Sequence, residues 1–451
     1  MRLLLTYPRF NHPSGDPPLG VAYLAATLER AGHEVVVFDA TFERRPLQSL
    51  EATLAEKPFD AIGISMPTSM LTEAAAVARV CAEGSRAPVF AGGPHPTIDP
   101  AGALTIDGID AVMVGEAERT VMRLAEAGGD YTSVPGMAYL REGEVVSTGE
   151  PELVENLDEL PLPARHLLDM NSYMRLWDRL GPGLRGTSVL ASRGCPFDRA
   201  DSTPALRSFL GTRVRRRSPE SIVAELVELK RAWAPDGVMW LDDSFILNRP
   251  WVIKLCDMIM EADLGIVWGC SIRAGLADHD MLEQMKRAGL RSVHVRIETG
   301  SQRVLDEVYQ KGVTIEQVRR TISIAHEMGL GVWGYFTLGA PGETEAELRE
   351  TVALAAELPL DDATFSVATP LPQTLTAGQL GGPIAAEVVD PGAPGHPVCA
   401  QDAVVDTATL NRLRRTAYMR FYLGPRRIWR TARSMLGIAG VKRMLRKLRR
   451  F

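Results

Sequence analysis

The chain has 451 residues, of which 45% are apolar and 24% charged, with 50 basic and 56 acidic side chains. This is the composition of a globular protein with two or three domains, and it excludes general disorder, collagen-like sequence and a disulfide-stapled miniprotein. Residues 425–451 hold ten Lys or Arg and no acid, so residues 1–424 carry a formal charge of −16. Because the body is acidic, we expect no nucleic-acid partner for it.

The five cysteines lie far apart without a pairing pattern, and the sequence has no apolar run of the length that spans a bilayer. The apolar stretch within residues 1–10 is too short for a signal peptide. These features predict a cytoplasmic protein with reduced thiols.

The first 115 residues alternate short β-branched runs with helical patterns. The predicted strands are residues 2–6, 34–38, 60–65, 88–91 and 110–114, and the helices between them include 21–32 and 71–83. This alternation is typical of a doubly wound parallel α/β sheet, in which ligands bind outside the carboxyl ends of the strands. No Gly-x-Gly-x-x-Gly follows the first strand, so an ordinary dinucleotide-binding domain is disfavoured.

A second βα series follows a connector that includes a possible hairpin at 136–148. Its predicted strands are residues 187–192, 237–241, 265–271, 291–298, 332–338 and 363–369. Six β/α units in a row predict a (β/α)6 partial TIM barrel with its chemistry at the carboxyl ends of the strands. The predicted domains are residues 1–140, Rossmann-like; a connector, 141–185; the partial barrel, 186–375; and 376–451, a Gly/Pro-rich loop and C-terminal helices with a basic tail.

Five motifs follow the predicted barrel strands. They are Ala191-Ser192-Arg193-Gly194-Cys195-Pro196-Phe197-Asp198, Leu241-Asp242-Asp243-Ser244-Phe245, Trp268-Gly269-Cys270-Ser271-Ile272-Arg273, Arg296-Ile297-Glu298-Thr299-Gly300-Ser301 and Leu338-Gly339-Ala340-Pro341-Gly342-Glu343-Thr344. In this order and spacing they resemble the radical S-adenosylmethionine (SAM) enzymes that carry an N-terminal cobalamin-binding domain. The loops at 17–20, 92–97 and 114–116 are similar to that cobalamin domain, and residues 421–426 resemble the C-terminal helical region of the family.

The resemblance implies cobalamin and SAM as cofactors. It implies a set of cobalamin-binding residues in the loops that follow the strands of the first sheet: Pro18, Leu19, Gly20, Ser65, Pro67, Thr68, Gly92, Gly93, His95, Pro96, Gly115 and Glu116. It also places Arg273, Glu298 and Gly339 near SAM, whose carboxylate and amino groups suit a guanidinium and a carboxylate. His95 could ligate cobalt, but the Asp-x-His-x-x-Gly pattern that supplies a lower ligand in other cobalamin folds is absent.

The sequence departs from the family at the iron–sulfur site. The family holds a [4Fe–4S] cluster with Cys-x-x-x-Cys-x-x-Cys and leaves the fourth iron to the amino and carboxylate groups of SAM. Here Cys195 takes the first position, but Arg199 and Ser202 take the other two. Because thiolates hold such clusters, the site is predicted to be degenerate, with Cys195 as a vestigial metal position. Cys270 could be a remote second ligand or a buried structural thiol.

Candidate catalytic residues are Asp242, Asp243, Glu298 and Arg296. The two aspartates could orient a substrate or act as a base, although one of two adjacent acids usually caps the following helix. Arg296 stands where the family has a small Gly. Together with Arg199 it could occupy the space where the cluster and its ligand meet, or either guanidinium could pair with a surface carboxylate.

Cobalamin can accept a methyl group from SAM and pass it to a nucleophile without a cluster. The sequence therefore predicts a cobalamin- and SAM-dependent tailoring enzyme that transfers a methyl group, or runs another non-radical reaction, on a small molecule, with a possible reductase for cobalamin. Two alternatives stay open: a non-catalytic partner of an intact family enzyme, and a catalyst of cyclisation or rearrangement. The tail at 425–451 has the spacing of a basic amphipathic helix, which could touch an anionic membrane surface, dock a partner or fold onto the acidic body.

Overall fold

The computed structural model describes residues 1–10, 13–181, 183–197, 209, 211–242, 245–368, 404–424 and 427. These residues build two sheets of mainly parallel strands, each covered by helices. Within the described ranges, no helix combines the length and the apolar character that crossing a bilayer requires.

The first sheet has seven strands in the order β2-β1-β3-β4-β5-β6-β7. They are β1 (Arg2–Tyr7), β2 (Glu34–Asp39), β3 (Ala61–Ser65), β4 (Val89–Gly92), β5 (Ala111–Met113), β6 (Met137–Arg141) and β7 (Glu144–Ser147). Strands β1 to β5 are parallel, and their order is that of a doubly wound sheet with helices on both faces. The predicted fold class of this domain is confirmed.

Both faces of this sheet are buried because alternate residues of its strands pack into two different hydrophobic cores. Leu4 packs with helices on one side, whereas Leu3 and Leu5 pack with helices on the other. The helices are α1 (Leu19–Arg30), α2 (Pro46–Glu56), α3 (Leu71–Gly84), α4 (Pro94–Ile98), α5 (Pro100–Leu104) and α6 (Glu118–Glu126). Helices α2, α3 and α5 cover the first side, and α1 and α6 cover the second.

The predicted hairpin is present but belongs to the first sheet rather than to the connector. Strand β6 pairs antiparallel with β5, with Met137 opposite Met113, and β7 pairs antiparallel with β6. The hairpin therefore extends the parallel sheet by two antiparallel strands at its edge. Sequence pattern alone did not reveal this pairing, because a hairpin reads the same whether or not a third strand flanks it.

The second sheet is the predicted half-barrel of six parallel strands, which follow one another in chain order. They are β8 (Gly186–Val189), β11 (Gly237–Trp240), β12 (Val267–Ile272), β13 (Leu290–Glu298), β14 (Gly331–Leu338) and β15 (Asp362–Val367). The predicted strand at 187–192 is split, because β9 (Ser192–Arg193) leaves the sheet and pairs antiparallel with β10 (Arg215–Arg216). We call this two-stranded element the β9–β10 ribbon.

The helices of the half-barrel lie on its outer face. After α7 (Met170–Leu176) they are α8 (Pro219–Trp233), α9 (Arg249–Ala262), α10 (His279–Arg287), α11 (Ile315–Glu327) and α12 (Glu345–Glu357). Side-chain caps start the five barrel helices, and Thr314 and Thr344 form capping boxes with Gln317 and Glu347. Every second strand residue, such as Trp268, Cys270 and Val295, enters the core beneath these helices. The intervening residues form the concave face.

A segment of the connector closes the amino-terminal end of the half-barrel. Trp177 and Leu180 pack against Met239 on the concave side. Glycines make room for them: a Cβ at Gly186 would lie 2.2 Å from the Trp177 ring, and one at Gly269 would lie 2.5 Å from Leu180. This plug fills the end of the barrel at which the strands begin.

The predicted C-terminal helix is α13 (Thr407–Tyr422), which packs on β15 and α12. The Tyr418 ring lies 5.0 Å from that of Phe365, and the Phe365 amide donates to the Tyr418 hydroxyl at 3.2 Å. Arg427 is buried and donates to the carbonyls of Ala356 and Leu360. The predicted Gly/Pro-rich loop, at 378–397 within the C-terminal region, and the rest of the predicted basic helix lie outside the described residues.

Candidate functional site

A cavity of about 320 Å³ opens at the carboxyl ends of the first sheet, where the sequence predicts ligand-binding loops. Seven of the twelve predicted cobalamin-binding residues line it: Leu19, Gly20, Ser65, Gly92, Gly93, Gly115 and Glu116. Apolar strand and helix residues such as Leu5, Phe90 and Leu124 form most of the remaining wall. Leu190, Arg193 and Leu241 from the barrel also reach this cavity, so it lies between the strand ends of the two sheets.

The strand-end loops are joined to one another by hydrogen bonds. The Met66 amide donates to the Gly92 carbonyl at 2.8 Å, and the His95 amide donates to the Met66 carbonyl at 3.1 Å. The Gly115 amide donates to Thr97 Oγ1 at 2.9 Å. Gly93 takes a φ of 112°, which only Gly adopts readily, at the start of α4. The loops after β3, β4 and β5 therefore form one frame.

The other five predicted residues, Pro18, Pro67, Thr68, His95 and Pro96, lie in the same loops but do not line the cavity. His95 is buried, and its Nδ1 lies 3.4 Å from Thr68 Oγ1. Burial lowers the pKa of His95 although Asp99 opposes the shift, so its imidazole is neutral near pH 7. A role for His95 as a cobalt ligand stays a prediction.

Glu116 lines the cavity but is occupied by a buried ion pair with the β9–β10 ribbon. Arg215 Nη1 donates to Glu116 Oε2 at 2.9 Å, and the Val154 amide donates to the same oxygen at 3.1 Å. Next to it, Arg193 Nη2 donates to Glu118 Oε1 at 2.6 Å. Burial would raise the pKa of Glu118, but the Arg193 guanidinium outweighs it and holds the pKa below the usual value.

The two glutamates and two arginines fix the ribbon, and hence Cys195, against the loop after β5. Cys195 follows Arg193 by two residues and is 4% exposed. Gly194 between them has a φ of 95°, and a Cβ there would lie 2.3 Å from the Arg213 carbonyl oxygen. Arg193, Arg215 and Glu118 were not among the predicted site residues. The sequence around an arginine or a glutamate does not indicate an ion-pair partner that lies 75 or 99 residues away.

Asp242 is buried beneath residues 191–197, which we call the Cys195 loop, rather than open to a substrate. Its carboxylate accepts the Ala191 amide at 3.1 Å and the Ser192 hydroxyl at 2.5 Å. Asp242 is 2% exposed. It therefore acts as an acceptor that shapes the turn from β8 into the ribbon, while Asp243 lies outside the described residues.

At the end of β13, the predicted residues Glu298 and Arg296 come together with a residue that the sequence did not single out. Glu298 Oε1 accepts from Lys311 Nζ and from Arg296 Nε, both at 3.1 Å, and Oε2 accepts from Thr337 Oγ1 at 3.2 Å. Glu298 has a φ of 72°, in a region that non-glycine residues rarely adopt. Such strain at a strand end is a common feature of functional sites.

Arg273 links the Cys195 loop to Lys311. Its guanidinium carbon lies 3.8 Å from the centre of the Phe197 ring, and Nη2 donates to the Lys311 carbonyl. Two of the predicted SAM-site residues, Arg273 and Glu298, thus lie together with the Cys195 loop, the vestigial cluster position, at one end of the half-barrel. Gly339 lies at the end of the neighbouring strand, where its amide donates to Glu343 Oε2 at 2.8 Å.

Glu343 closes the turn after β14. It also accepts from the Ala340 amide at 3.0 Å and the Thr299 hydroxyl at 3.1 Å. Burial raises the pKa of Glu343 to about 7 in spite of these donors. Its place in the quoted Gly339–Glu343 motif was visible in the sequence, but its burial was not.

A polar network lines the concave face nearer the plug. Asp16, from the loop before α1, accepts from Ser188 Oγ at 2.6 Å and from Arg179 Nε at 3.2 Å. His294 Nδ1 lies 2.9 Å from the Tyr335 hydroxyl, and the His294 ring stacks on Trp333 at 4.9 Å. Burial lowers the pKa of His294 to about 3, so the ring is neutral. The network provides polar groups and an aromatic surface beneath the site.

The thiols of the barrel do not form a cluster site in the described residues. Cys270 is fully buried in the core beneath the outer helices, and burial raises the pKa of its thiol well above the usual value. This supports the reading of Cys270 as a structural thiol. No group of three or more His, Cys, Asp or Glu in the described part of the chain is placed to hold a metal ion.

Comparison with known proteins places this arrangement in a family. The model of the B12 binding domain matches residues 15–125, and that of the radical SAM superfamily matches residues 193–355. The uncharacterized methyltransferase PH0819 of Pyrococcus horikoshii is 33% identical over 366 residues, covering 79% of this chain and 77% of that protein. The chain belongs to the B12-binding radical SAM proteins.

Proteins similar to this chain differ in their reactions. The anaerobic magnesium-protoporphyrin IX monomethyl ester cyclase of Rubrivivax gelatinosus is 28% identical over 409 residues, covering 86% of this chain and 71% of that protein. The methyltransferase TsrM from Kitasatospora setae, solved with cobalamin and a [4Fe–4S] cluster bound, has a TM-score of 0.69 at 22% identity, with 81% of this chain and 72% of that chain covered. At that identity the likeness to TsrM shows the fold alone.

Proposed function

We propose that this protein is a cobalamin- and SAM-dependent enzyme that transfers a methyl group to a small molecule without an iron–sulfur cluster. The observation that carries the proposal is the cavity between the strand ends of the two sheets. Methyltransferases among its relatives support methyl transfer, although a cyclase is also among them.

The cavity residues fit a cobalamin. A Cβ added at Gly20 would meet no atom within 4 Å, and Gly92 and Gly115 also leave the wall without side chains. The wall is mostly apolar, as the walls of organic-cofactor sites usually are. Cobalamin, when bound, supplies a metal centre that carries methyl groups by two-electron chemistry.

The residues do not fit the cluster of the family. Three thiolates are required, yet the sequence has no cysteine between 196 and 255, and Cys270 lies in the core beneath the outer helices. We therefore derive no step through a cluster, and no 5′-deoxyadenosyl radical is part of the proposal.

The chain itself positions the reactants. The ion pairs of Glu116 with Arg215 and of Glu118 with Arg193 fix the cavity loop against the Cys195 loop. Arg273, Arg296, Lys311 and Glu298 provide charged groups at the carboxyl ends of β12 and β13, where SAM would bind. Trp177 and Leu180 close the other end of the barrel and exclude water from that side.

The test measures whether the methyl group of SAM is transferred. Protein purified with hydroxocobalamin under reducing conditions is incubated with SAM carrying a labelled methyl group, and S-adenosylhomocysteine is quantified. We expect S-adenosylhomocysteine to form only when both the protein and reduced cobalamin are present, with the label retained on the protein fraction. Failure to bind cobalamin in any redox state would contradict the proposal.

The same assay distinguishes an enzyme from a non-catalytic partner of an intact family enzyme. The loss of two cluster cysteines is the observation that supports the second alternative. A partner protein would bind cobalamin or SAM but would form no S-adenosylhomocysteine on its own. Formation would then require addition of an intact family enzyme.

A further inference from the structure

Arg296 and Glu298 occupy a distorted end of strand β13. The register with β14 breaks between them, so that Arg296 lies opposite Tyr335 and Glu298 opposite Phe336. Glu298 has a positive φ at this break, and Arg296 Nε lies 3.1 Å from Glu298 Oε1. Residues two apart on a strand share a face, so Arg296 and Glu298 both lie on the concave side of the half-barrel.

The burial of the three charged side chains differs sharply. The side chains of Glu298 and Lys311 are 2% and 5% exposed, whereas that of Arg296 is 42% exposed. Both oxygens of Glu298 already accept hydrogen bonds, from Lys311, Arg296 and Thr337. Glu298 is therefore suited to holding Arg296 and Lys311 in place, and Arg296 is the member of the group that a ligand can reach.

Three cationic side chains and one carboxylate lie close together at this strand end. Arg273, Arg296 and Lys311 are cations, and Glu298 is the anion that the described contacts join to them. A guanidinium binds a carboxylate with two parallel hydrogen bonds, which makes it the side chain best suited to that group. The exposed guanidinium of Arg296 is therefore suited to the carboxylate of a ligand.

We propose that Arg296 binds the carboxylate of the amino-acid end of SAM, the part of SAM that the fourth iron of a cluster binds in the family. Glu298 and Lys311 are positioning residues that hold Arg296 at the strand end. The inference rests on the proposed function only in that SAM binds at this end of the barrel. Arg296 would thus allow a chain with one cysteine at the cluster position to bind the amino-acid end of SAM.

The test compares two ligands that differ in the amino-acid end. S-adenosylhomocysteine carries the aminocarboxylate, whereas 5′-methylthioadenosine has the same nucleoside and thioether without it. Both are titrated by calorimetry into full-length protein purified with hydroxocobalamin and without added iron. The variants are Arg296→Gln, Arg296→Lys and, as the matched control, Arg291→Gln, which removes an exposed arginine from the same strand.

We expect wild type to bind S-adenosylhomocysteine at least about tenfold more tightly than methylthioadenosine. Arg296→Gln should weaken the binding of S-adenosylhomocysteine by roughly 10- to 100-fold and the binding of methylthioadenosine by less than about threefold. Arg296→Lys should lose less affinity for S-adenosylhomocysteine than Arg296→Gln, since it keeps the positive charge. Arg291→Gln should change the affinity for neither ligand. Circular dichroism and thermal melting verify that each variant is folded.

Equal losses for both ligands in Arg296→Gln, or no loss for either, would overturn the inference and leave the proposed function standing. Equal affinity of wild type for the two ligands would overturn it in the same way. If wild type binds neither ligand, the proposed use of SAM fails, and the inference falls with it.

Discussion

Glu116 and Arg215 form a two-pronged ion pair that joins the first sheet to the β9–β10 ribbon. Both side chains are at most 3% exposed, and both oxygens of the carboxylate accept from the guanidinium. Glu116 belongs to the loop that lines the cavity, and Arg215 belongs to the ribbon that carries Cys195. This pair, together with that of Glu118 and Arg193, therefore sets the relative position of the two halves of the site.

Breaking this pair should destabilise the protein strongly. Glu116→Gln leaves the buried charge of Arg215 without its carboxylate, which typically costs about 3–5 kcal/mol of unfolding free energy. The measurement is urea unfolding followed by circular dichroism. Glu228→Gln, which removes an exposed pair with Arg231, is the control and should change stability by less than about 0.5 kcal/mol. Equal effects of the two substitutions would refute the structural role of Glu116.

Filling the cavity should block cobalamin without unfolding the protein. Gly20 lines the cavity, is exposed and has open space around its Cα, so Gly20→Trp adds bulk there. We expect cobalamin binding to weaken by about tenfold or more, measured by titration of the visible spectrum. Arg30→Trp, on the exposed last turn of the same helix, should leave the affinity unchanged. Unchanged affinity in Gly20→Trp would place the cofactor elsewhere.

The pH dependence of stability should include a contribution from Glu343. Because burial raises its folded pKa to about 7, the folded state binds more protons than the unfolded state between about pH 4.5 and 7. This group therefore lowers stability as the pH rises through that window. Glu343→Gln cannot ionise, so its stability relative to wild type should improve by roughly 2–3 kcal/mol from pH 4.5 to pH 8. Urea unfolding of both proteins across this range is the measurement, and a constant difference would contradict the raised pKa.

Substitution of Asp242 should disturb the Cys195 loop and leave the binding of cobalamin unchanged. Asp242→Ala removes the acceptor for the Ala191 amide and the Ser192 hydroxyl, at a cost of about 1–3 kcal/mol. Since Phe197 in that loop stacks on Arg273, binding of S-adenosylhomocysteine should weaken while cobalamin affinity stays within about twofold. Asp257→Ala, at an exposed hydrogen bond with Gln284, is the control. Loss of cobalamin binding in Asp242→Ala would show that the two sites are not separable in this way.

The sequence was most informative where periodicity and local chemistry coincide. The strands of both sheets lie where β-branched runs predicted them, and the glycines at 92, 93 and 115 line the predicted cavity. It was less informative about long-range pairing. The hairpin after Gly136 joins the first sheet, and Asp242 and Glu116 are held by groups that are 50 to 99 residues away.

Charge and burial also had to come from the structure. Glu343 and Lys311 are charged side chains in loops, yet both are buried and hydrogen-bonded. Their burial results from the packing of neighbouring strand ends, and no local pattern encodes it. Arg296 was predicted to fill space or pair with a surface carboxylate, and its partner is the buried Glu298.

The central claim is that the chain combines cobalamin with a site that has lost its cluster. The most direct test is the metal content of protein reconstituted anaerobically with iron, sulfide and hydroxocobalamin, alongside the double variant Arg199→Cys/Ser202→Cys, which restores the three-cysteine spacing. We predict about one cobalt and essentially no iron per wild-type chain, with iron appearing in the double variant. About four irons in the wild-type protein, or no cobalt, would contradict the account.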